Sequence, residues 1–326
     1  MEDLWAAGIA AIVWLQALGP ALTTPMQLIS FLGEVEFYLL LMPALYWCWH
    51  ANKGLRLGVL LMLSAGLNEA LKVAFHQPRP FWISASVQAL SPEMSFGLPS
   101  GHAQHAVCVW GWLAHQSRRR WAWALALLSV VLISLSRAYL GVHFPQCLLL
   151  GAGIGALLLA VFVQWEQPAS RWLARRTVTE RCGVALLASL ALLGLTAVAQ
   201  GSLRGWTVPA AWAEAVLSKT SEPIEAVAPA NAFMAAGVLW GLGAGAAWLD
   251  TRGGFSVQGP AMQRLLRYLV GMVIVALLWF GLGSLLPEGD SWLALVLRYV
   301  HAGLLGFWVA GAAPLLFRRL RLADRA

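Results

Sequence analysis

Charged residues are scarce in this chain. Aspartate, glutamate, lysine and arginine make up 11% of the 326 residues, whereas 60% of the residues are hydrophobic. A soluble domain of this length could not remove so much apolar side chain from water. The composition therefore excludes a soluble protein, and we expect an integral membrane protein whose apolar runs cross the bilayer.

Cysteines are also few, and acidic clusters are missing from the sequence. The four cysteines lie in or at the ends of apolar runs at irregular spacing, which favours neither a disulfide framework nor a zinc site. Basic and aromatic residues do not cluster in the manner of a nucleic-acid-binding surface. We therefore expect no metal, no cofactor and no nucleic-acid partner.

The apolar runs predict an all-α, polytopic membrane helical bundle with about nine transmembrane helices. An additional N-terminal run, residues 4–18, ends at Pro20 and is expected either to lie in the interface or to form a marginal span. The nine expected spans are 35–49, 54–75, 101–117, 121–140, 146–165, 182–201, 231–249, 265–286 and 291–317.

Basic residues are distributed unevenly over the connecting loops. If the first span runs inward from outside, most of the 22 lysines and arginines fall in loops on the inner side. The positive-inside rule then places the C-terminus in the cytoplasm and explains the net charge of +7. The arginine-rich, short-loop pattern favours a bacterial inner membrane, with the outer loops in the periplasm.

Three polar islands interrupt the apolar runs on the expected outer side. Each alone has an ordinary explanation, either a cation that reaches the membrane interface or a capped helix start. Together they bring three cations, two histidines, a serine and a helix N-terminus to one face of the membrane. The islands are Lys72-x6-Arg79-Pro80, Pro99-Ser100-Gly101-His102 and Ser136-Arg137-x5-His143.

This combination of residue types predicts chemistry on a phosphate. Three cations around the free N–H groups of a helix start suit a multiply charged oxyanion. Two histidines suit a nucleophile and an acid that protonates the leaving oxygen. Two acidic residues are weaker candidates: Glu69 shares a helix face with Lys72, and Glu34 opens the first span.

The three islands, in this order, resemble the motifs of the type 2 phosphatidic acid phosphatase superfamily, which includes glucose-6-phosphatases. The stretches PRPFW, GLPSGHA and SRAYLGVHFP are similar to its membrane branches. The likeness covers residues 34–165 and implies a phosphatase core of five to six helices there. Residues 1–33 are then an N-terminal interfacial segment, and residues 166–326 are accessory transmembrane helices.

The resemblance also implies a role for each motif residue. His143 is expected to attack phosphorus and become a phosphohistidine, and His102 to protonate the leaving alcohol. The family needs no metal for this reaction. The residues expected to bind the phosphate oxygens are Lys72, Arg79, Arg137, Ser100 and Gly101.

One position departs from the family pattern. The pattern ends in His-x3-Asp, where the aspartate orients the nucleophilic histidine, but this chain has Cys147 there. A thiol is a weak donor and acceptor. The sequence therefore leaves open whether Cys147, Gln146 or a backbone carbonyl orients His143. The glucose-6-phosphatase branch also lacks this aspartate, so activity remains the expectation.

The resemblance implies a metal-independent membrane phosphatase that acts on a phosphate monoester or pyrophosphate at the outer face. A phospholipid or isoprenoid phosphate is the expected substrate, because the site lies at the membrane border among membrane lipids. Three alternatives stay open: a soluble sugar phosphate such as glucose 6-phosphate, phosphotransfer to another lipid, and a catalytically weak phosphate- or lipid-binding protein that lacks the orienting carboxylate.

Overall fold

A computed structural model describes residues 2–325, and every regular element in that range is helical, so the all-α prediction is confirmed. The α-helices are α1 (Glu2–Gln16), α2 (Thr23–Phe31), α3 (Val35–Ala44), α4 (Ala51–Phe75), α5 (Pro80–Ile83), α6 (Gly101–Ser117), α7 (Arg120–Tyr139), α8 (Pro145–Leu173), α9 (Val178–Gly201), α10 (Ala210–Thr220), α11 (Ala230–Asp250), α12 (Ala261–Ala276), α13 (Trp292–Phe307) and α14 (Ala313–Arg319).

Three helices continue into π-helical turns, at Leu45–Trp49 after α3, Leu277–Leu282 after α12 and Trp308–Ala312 after α13. Short 3-10 helices occupy Pro20–Leu22 and Gly283–Leu285. No regular element occurs between Ile83 and Gly101, so a long irregular loop joins α5 to α6.

Within residues 2–325, seven helices are long and apolar enough to cross a membrane. Two of the nine expected spans fall short: 35–49 is a shorter apolar helix with Pro43 in its interior, and α6 has only 17 residues. The expected count is thus approximately met. The qualifying helices are Ala51–Ile83, Arg120–Tyr139, Pro145–Leu173, Val178–Gly201, Ala230–Asp250, Ala261–Leu285 and Trp292–Arg319.

The N-terminal segment is a bent helix pair. Asp3–Gln16 and Pro20–Phe31 meet at 89°, and counting this pair as one broken span raises the total to eight. Gly19 makes the bend with φ of 104°, a conformation that only glycine adopts readily, and Pro20 then fixes the start of the next helix. The break lies where the sequence predicted the first run to end.

The chain forms two compact units that interleave along the sequence. The first unit comprises Met1–Phe37, Leu67–Val161 and Thr196–Ala228, and contains all three polar islands. Its core includes Phe81, Phe96 and Phe144. Helix α10 joins this unit through Lys219, whose Nζ donates to the carbonyls of Phe81, Ser84 and Val87 at 2.6–3.2 Å.

The second unit comprises Tyr38–Gly66, Phe162–Leu195 and Pro229–Ala326. In it, α11 and α13 pack backbone to backbone: a Cβ on Gly241 would lie 2.0 Å from the carbonyl oxygen of Gly303. Small residues permit such close packing between membrane helices. Trp47 and Phe317 meet edge to face in the core of this unit, with ring centroids 5.3 Å apart.

Candidate active site

The predicted site residues lie at one end of the first unit. Lys72 is in the last turn of α4, Arg79 precedes α5, and Ser100 caps the start of α6. Arg137 lies in the last turn of α7, and His143 precedes α8. Because successive helices run in alternating directions, the end of one helix and the start of the next share a face of the bundle.

His143 is buried and held at both ring nitrogens. Its Nδ1 lies 2.8 Å from the carbonyl oxygen of Gly97, so this nitrogen carries the proton and donates it. Its Nε2 lies 3.2 Å from Arg79 Nη1, which is always a donor, so Nε2 accepts. The ring is thereby oriented with the Nε2 lone pair directed at the cationic group that would hold a phosphate.

The electrostatic surroundings favour a neutral ring. Burial and then the positive charges of Arg79 and Arg137 lower the pKa of His143 well below its ordinary range, and His102 and Lys72 act in the same direction. His143 is therefore neutral at pH 7, and its Nε2 carries the lone pair that accepts from Arg79. The four residues that act on this pKa all belong to the three islands.

The orienting group of His143 is a backbone carbonyl, one of the three options that the sequence left open. The Gly97 carbonyl accepts the hydrogen bond from Nδ1 and so orients the ring, a role for which Cys147 and Gln146 were also candidates. Cys147 lies in the core of the first unit, and its own carbonyl accepts from Ser100 N at 3.0 Å. A Cβ on Gly97 would lie 2.8 Å from the Pro78 carbonyl oxygen, so the lack of a side chain permits this close approach.

Arg79 is completely buried, and several groups hold its guanidinium in place. Its Nε donates to the Ser95 carbonyl at 2.6 Å, and its Nη1 donates to the Val142 carbonyl at 3.0 Å. Its Nη2 donates to Glu93 Oε2 at 2.5 Å and to the Phe96 carbonyl at 3.2 Å. These contacts tie the loop between α5 and α6 to the segment that carries His143.

Arg137 is equally buried and shares a carboxylate with Arg79. Its Nη2 donates to Glu93 Oε1, and its Nη1 donates to Ser30 Oγ at 2.6 Å. The Nε of Arg137 has no hydrogen-bond partner among residues 2–325. Glu93 thus bridges two of the three cations that the motifs supply.

Lys72 completes the cationic group. Its Nζ donates to Glu69 Oε1 at 3.3 Å and to Ser95 Oγ at 3.1 Å. Ser95 Oγ also accepts from Arg79 Nη2 at 3.0 Å, so one hydroxyl contacts two of the cations. The pairing of Lys72 with Glu69, which the helix spacing predicted, is present.

The start of α6 borders the same site. Ser100 caps the helix by accepting from Ala103 N at 3.5 Å, and the next residue is Gly101. A Cβ on Gly101 would lie 2.9 Å from Asn68 Oδ1, so a side chain would press against Asn68. Asn68 in turn donates to Gln104 Oε1 at 2.9 Å, which links α4 to α6 beneath the helix start.

His102 lies in the first turn of α6 against the N-terminal segment. Its Nε2 is buried and has no hydrogen-bond partner in the described part of the chain, and Glu34 Oε1 lies 4.0 Å from it. A Cβ on Gly33 would lie 2.6 Å from the ring. An imidazole nitrogen that is buried, unpartnered and close to a carboxylate is suited to exchanging a proton with a bound ligand.

Four residues of the site were not found from the sequence: Ser30, Glu93, Ser95 and Gly97. Three of them lie in the irregular loop between α5 and α6, where no periodic pattern marks a functional position. Glu93 carried one available signal, because it is an acidic residue in the short stretch between the first and the second motif. Ser30 lies outside the motif region altogether.

Comparison with protein families and known proteins agrees with the motifs. Residues 53–171 match the PAP2 superfamily, and residues 233–325 match the PAP2 superfamily phosphatase transmembrane extension. The C-terminal part of the chain, residues 233–325, therefore includes a recognised element of the same superfamily.

Three similar proteins illustrate the match. Lipid phosphate phosphatase delta of Arabidopsis thaliana is 30% identical over 41% of this chain and 36% of its own length. Undecaprenyl-diphosphatase of Sulfolobus acidocaldarius is 31% identical over 35% of this chain and 55% of its own length. A PAP2-type phosphatidylglycerolphosphate phosphatase from Bacillus subtilis has a known crystal structure and is 27% identical in sequence to this chain. The structural match covers 52% of this chain and 88% of the Bacillus subtilis chain, with a TM-score of 0.45. The matched region thus spans only about a third to a half of these two curated relatives.

Proposed function

Because the chain belongs to the PAP2 superfamily, we propose that it is an integral membrane phosphatase that hydrolyses a lipid phosphate or pyrophosphate through a phosphohistidine on His143. One observation carries the proposal. The Gly97 carbonyl fixes the Nδ1–H tautomer of His143, which leaves Nε2 as a neutral nucleophile beside Arg79. This arrangement supports activity even though the chain has Cys147 where the family has an aspartate.

In the first step, the phosphoryl group binds to Arg79, Arg137 and Lys72. Nε2 of His143 attacks phosphorus, a P–N bond forms, and the bond from phosphorus to the leaving oxygen breaks. With the anionic phosphoryl group bound beside it, His102 is an imidazolium and donates its proton to that oxygen, so the product leaves as a neutral alcohol or, from a pyrophosphate, as a monophosphate. The Ser100 hydroxyl and the Gly101 amide add hydrogen bonds to the charge that develops on the phosphoryl oxygens.

In the second step, water attacks the phosphohistidine. His102, now neutral, takes a proton from the water, and the P–N bond breaks to release inorganic phosphate and restore neutral His143. The Glu34 carboxylate, 4.0 Å from His102 Nε2, offers a counter-charge to the imidazolium that forms. No metal takes part in either step, because the arginine and lysine side chains neutralise the phosphoryl oxygens.

The expected substrate is a lipid. The site lies at the ends of apolar helices, where a substrate can enter sideways from the bilayer while its head group reaches the cations. The named activities of the curated relatives concern a lipid phosphate and undecaprenyl diphosphate, which agrees with this class. From the positive-inside rule, the site faces the periplasm of a bacterial inner membrane and the C-terminus lies in the cytoplasm.

The experiment is phosphate release by the purified, detergent-solubilised chain with EDTA present. The panel contains phosphatidic acid, phosphatidylglycerol phosphate, undecaprenyl pyrophosphate, sphingosine 1-phosphate and glucose 6-phosphate. We expect turnover of at least one lipid substrate, and no turnover by His143→Ala. Loss of activity in EDTA that added divalent cation restores would contradict the metal-free mechanism.

The intermediate is tested with a ³²P-labelled substrate and rapid quenching. We expect an acid-labile, base-stable label on the wild-type chain and none on His143→Ala. Turnover without such a label, or preference for glucose 6-phosphate over every lipid, would contradict the phosphohistidine or the lipid substrate respectively.

A further inference from the structure

The carboxylate of Glu93 occupies the place where a phosphate would be expected to bind. Its Oε2 accepts from Arg79 Nη2 at 2.5 Å, and its Oε1 accepts from Arg137 Nη2. Both arginine side chains are fully buried, whereas the Glu93 side chain is 28% exposed. The most accessible member of the group is therefore the anion rather than the cations.

The geometry points to Glu93 as an exchangeable internal anion, and we propose that the phosphoryl group of the substrate displaces it and that it returns when phosphate leaves. This inference rests on the proposed function. It assigns Glu93 a part in the affinity for phosphate rather than in the chemical step.

The arginines can keep their positions while the carboxylate leaves. Backbone carbonyls of Ser95 and Val142 hold Arg79, and the Ser30 hydroxyl holds Arg137. Glu93 itself lies in the irregular loop between α5 and α6, where no helical hydrogen-bond ladder restrains it. A rotation of one partly exposed side chain is therefore enough to vacate the two guanidinium groups.

The exchange also avoids an energetic problem. Two buried cations without an anion would carry a large desolvation penalty, and Glu93 offsets it in the empty enzyme. A bound phosphoryl group has to compete with this carboxylate, so the net gain on binding is smaller. Release of inorganic phosphate is favoured for the same reason, because Glu93 takes its place.

The test measures direct binding of inorganic phosphate to the full chain in detergent, by isothermal titration calorimetry at constant ionic strength. We expect Glu93→Gln to bind phosphate about tenfold more tightly than the wild type, because an amide competes poorly with a phosphate for guanidinium groups. Glu222→Gln, which removes an exposed acidic residue of the same unit, should leave the affinity unchanged.

Unchanged or weaker phosphate binding by folded Glu93→Gln would overturn the proposal, because it would mean that Glu93 positions the arginines for the ligand. Size-exclusion profile and thermal unfolding establish whether that variant folds. If it does not, Glu93→Asp replaces it: a shorter carboxylate cannot reach both arginines equally, so we expect about threefold tighter phosphate binding. Affinity equal to that of the wild type would then contradict the inference.

The binding measurement is independent of turnover. A wild-type chain that hydrolyses no member of the substrate panel, while Glu93→Gln still binds phosphate more tightly, would remove the proposed function and leave this inference standing. Turnover by the wild type without tighter phosphate binding in Glu93→Gln would support the proposed function and overturn this inference.

Discussion

Each unit of the chain contains fully buried arginine, and the partners differ. In the first unit, Arg79 and Arg137 share the carboxylate of Glu93, and Arg137 Nε has no partner in residues 2–325. In the second unit, the hydrogen-bond acceptors of Arg267 within residues 2–325 are backbone carbonyls. These belong to Trp47, Ser256, Gln258 and Leu322, at 2.8–3.4 Å.

This difference in hydrogen-bond partners indicates two different roles for a buried arginine. Backbone carbonyls cannot leave, so Arg267 fastens the chain segments around it and stabilises the fold. A side-chain carboxylate can be exchanged for another anion, so Arg79 and Arg137 keep the capacity to bind a ligand. Under the proposed function, the shared carboxylate rather than burial distinguishes Arg79 and Arg137 from Arg267, because Arg79 also donates to backbone carbonyls.

Replacing Arg79 should have the largest effect on activity. Arg79→Ala removes a donor to the phosphoryl oxygens and the hydrogen bond to His143 Nε2, and we expect kcat/KM to fall by about 10³-fold. Initial rates with the preferred lipid substrate measure this. Arg204→Ala, at an exposed arginine of the same unit, is the matched control and should retain wild-type kinetics. A loss below tenfold in Arg79→Ala would refute the assignment of Arg79 to the phosphate.

Replacing Arg267 should act on stability instead. Arg267→Met leaves four backbone carbonyls without their donor, and we expect the free energy of unfolding to fall by about 3 kcal/mol or more. The measurement is the apparent unfolding midpoint in detergent, together with kcat/KM of the folded fraction, which should stay within about twofold of the wild type. If Arg267→Met had a normal unfolding midpoint but no activity, Arg267 would act in function rather than in stability, which would contradict the comparison between the two units.

Lowering the pH should destabilise the first unit through His143. Its pKa in the folded chain is held well below the ordinary value of 6.5 by burial and the neighbouring arginines. The unfolded chain therefore takes up a proton below pH 6.5 that the folded chain does not, and protonation favours unfolding. This one group should contribute a loss of up to about 1.4 kcal/mol per pH unit.

Unfolding midpoints at pH 7.5 and 5.0 for the wild type and His143→Gln measure this contribution, since glutamine cannot titrate. We expect the midpoint of the wild type to fall more than that of the variant. An equal fall in both proteins would mean that the pKa of His143 is the same in the folded and the unfolded chain, in conflict with its burial beside the two arginines.

The smallest effect is expected at Cys147. Because Gly97 rather than Cys147 accepts from His143 Nδ1, Cys147→Ala should keep kcat within about threefold of the wild type and lower stability by about 1 kcal/mol through lost packing. Steady-state kinetics and the unfolding midpoint check both values. A decrease of kcat by two orders of magnitude would show that the thiol, and not the carbonyl, orients the nucleophile.

Much of this arrangement could be predicted from the sequence. Helical periods and apolar run lengths predicted the helices, and the spacing of three short motifs predicted which cations and histidines would meet. The Gly97 carbonyl could not be predicted, because every residue has a carbonyl and only the path of an irregular loop selects one. Glu93 could not be predicted for the same reason. Ser30 could not be predicted because the contact between α2 and α7 depends on tertiary packing.

The contact between Ser30 and Arg137 places part of the candidate site outside the region that matches the family. The family match begins at residue 53, yet the hydroxyl that holds Arg137 and the glycine against His102 both come earlier, at Ser30 and Gly33. A fragment trimmed to the matched residues 53–171 would retain every motif and lose the contacts of Ser30 with Arg137 and of Gly33 with His102. Transplanting the motifs into another scaffold would likewise require carrying the N-terminal helix pair along with them.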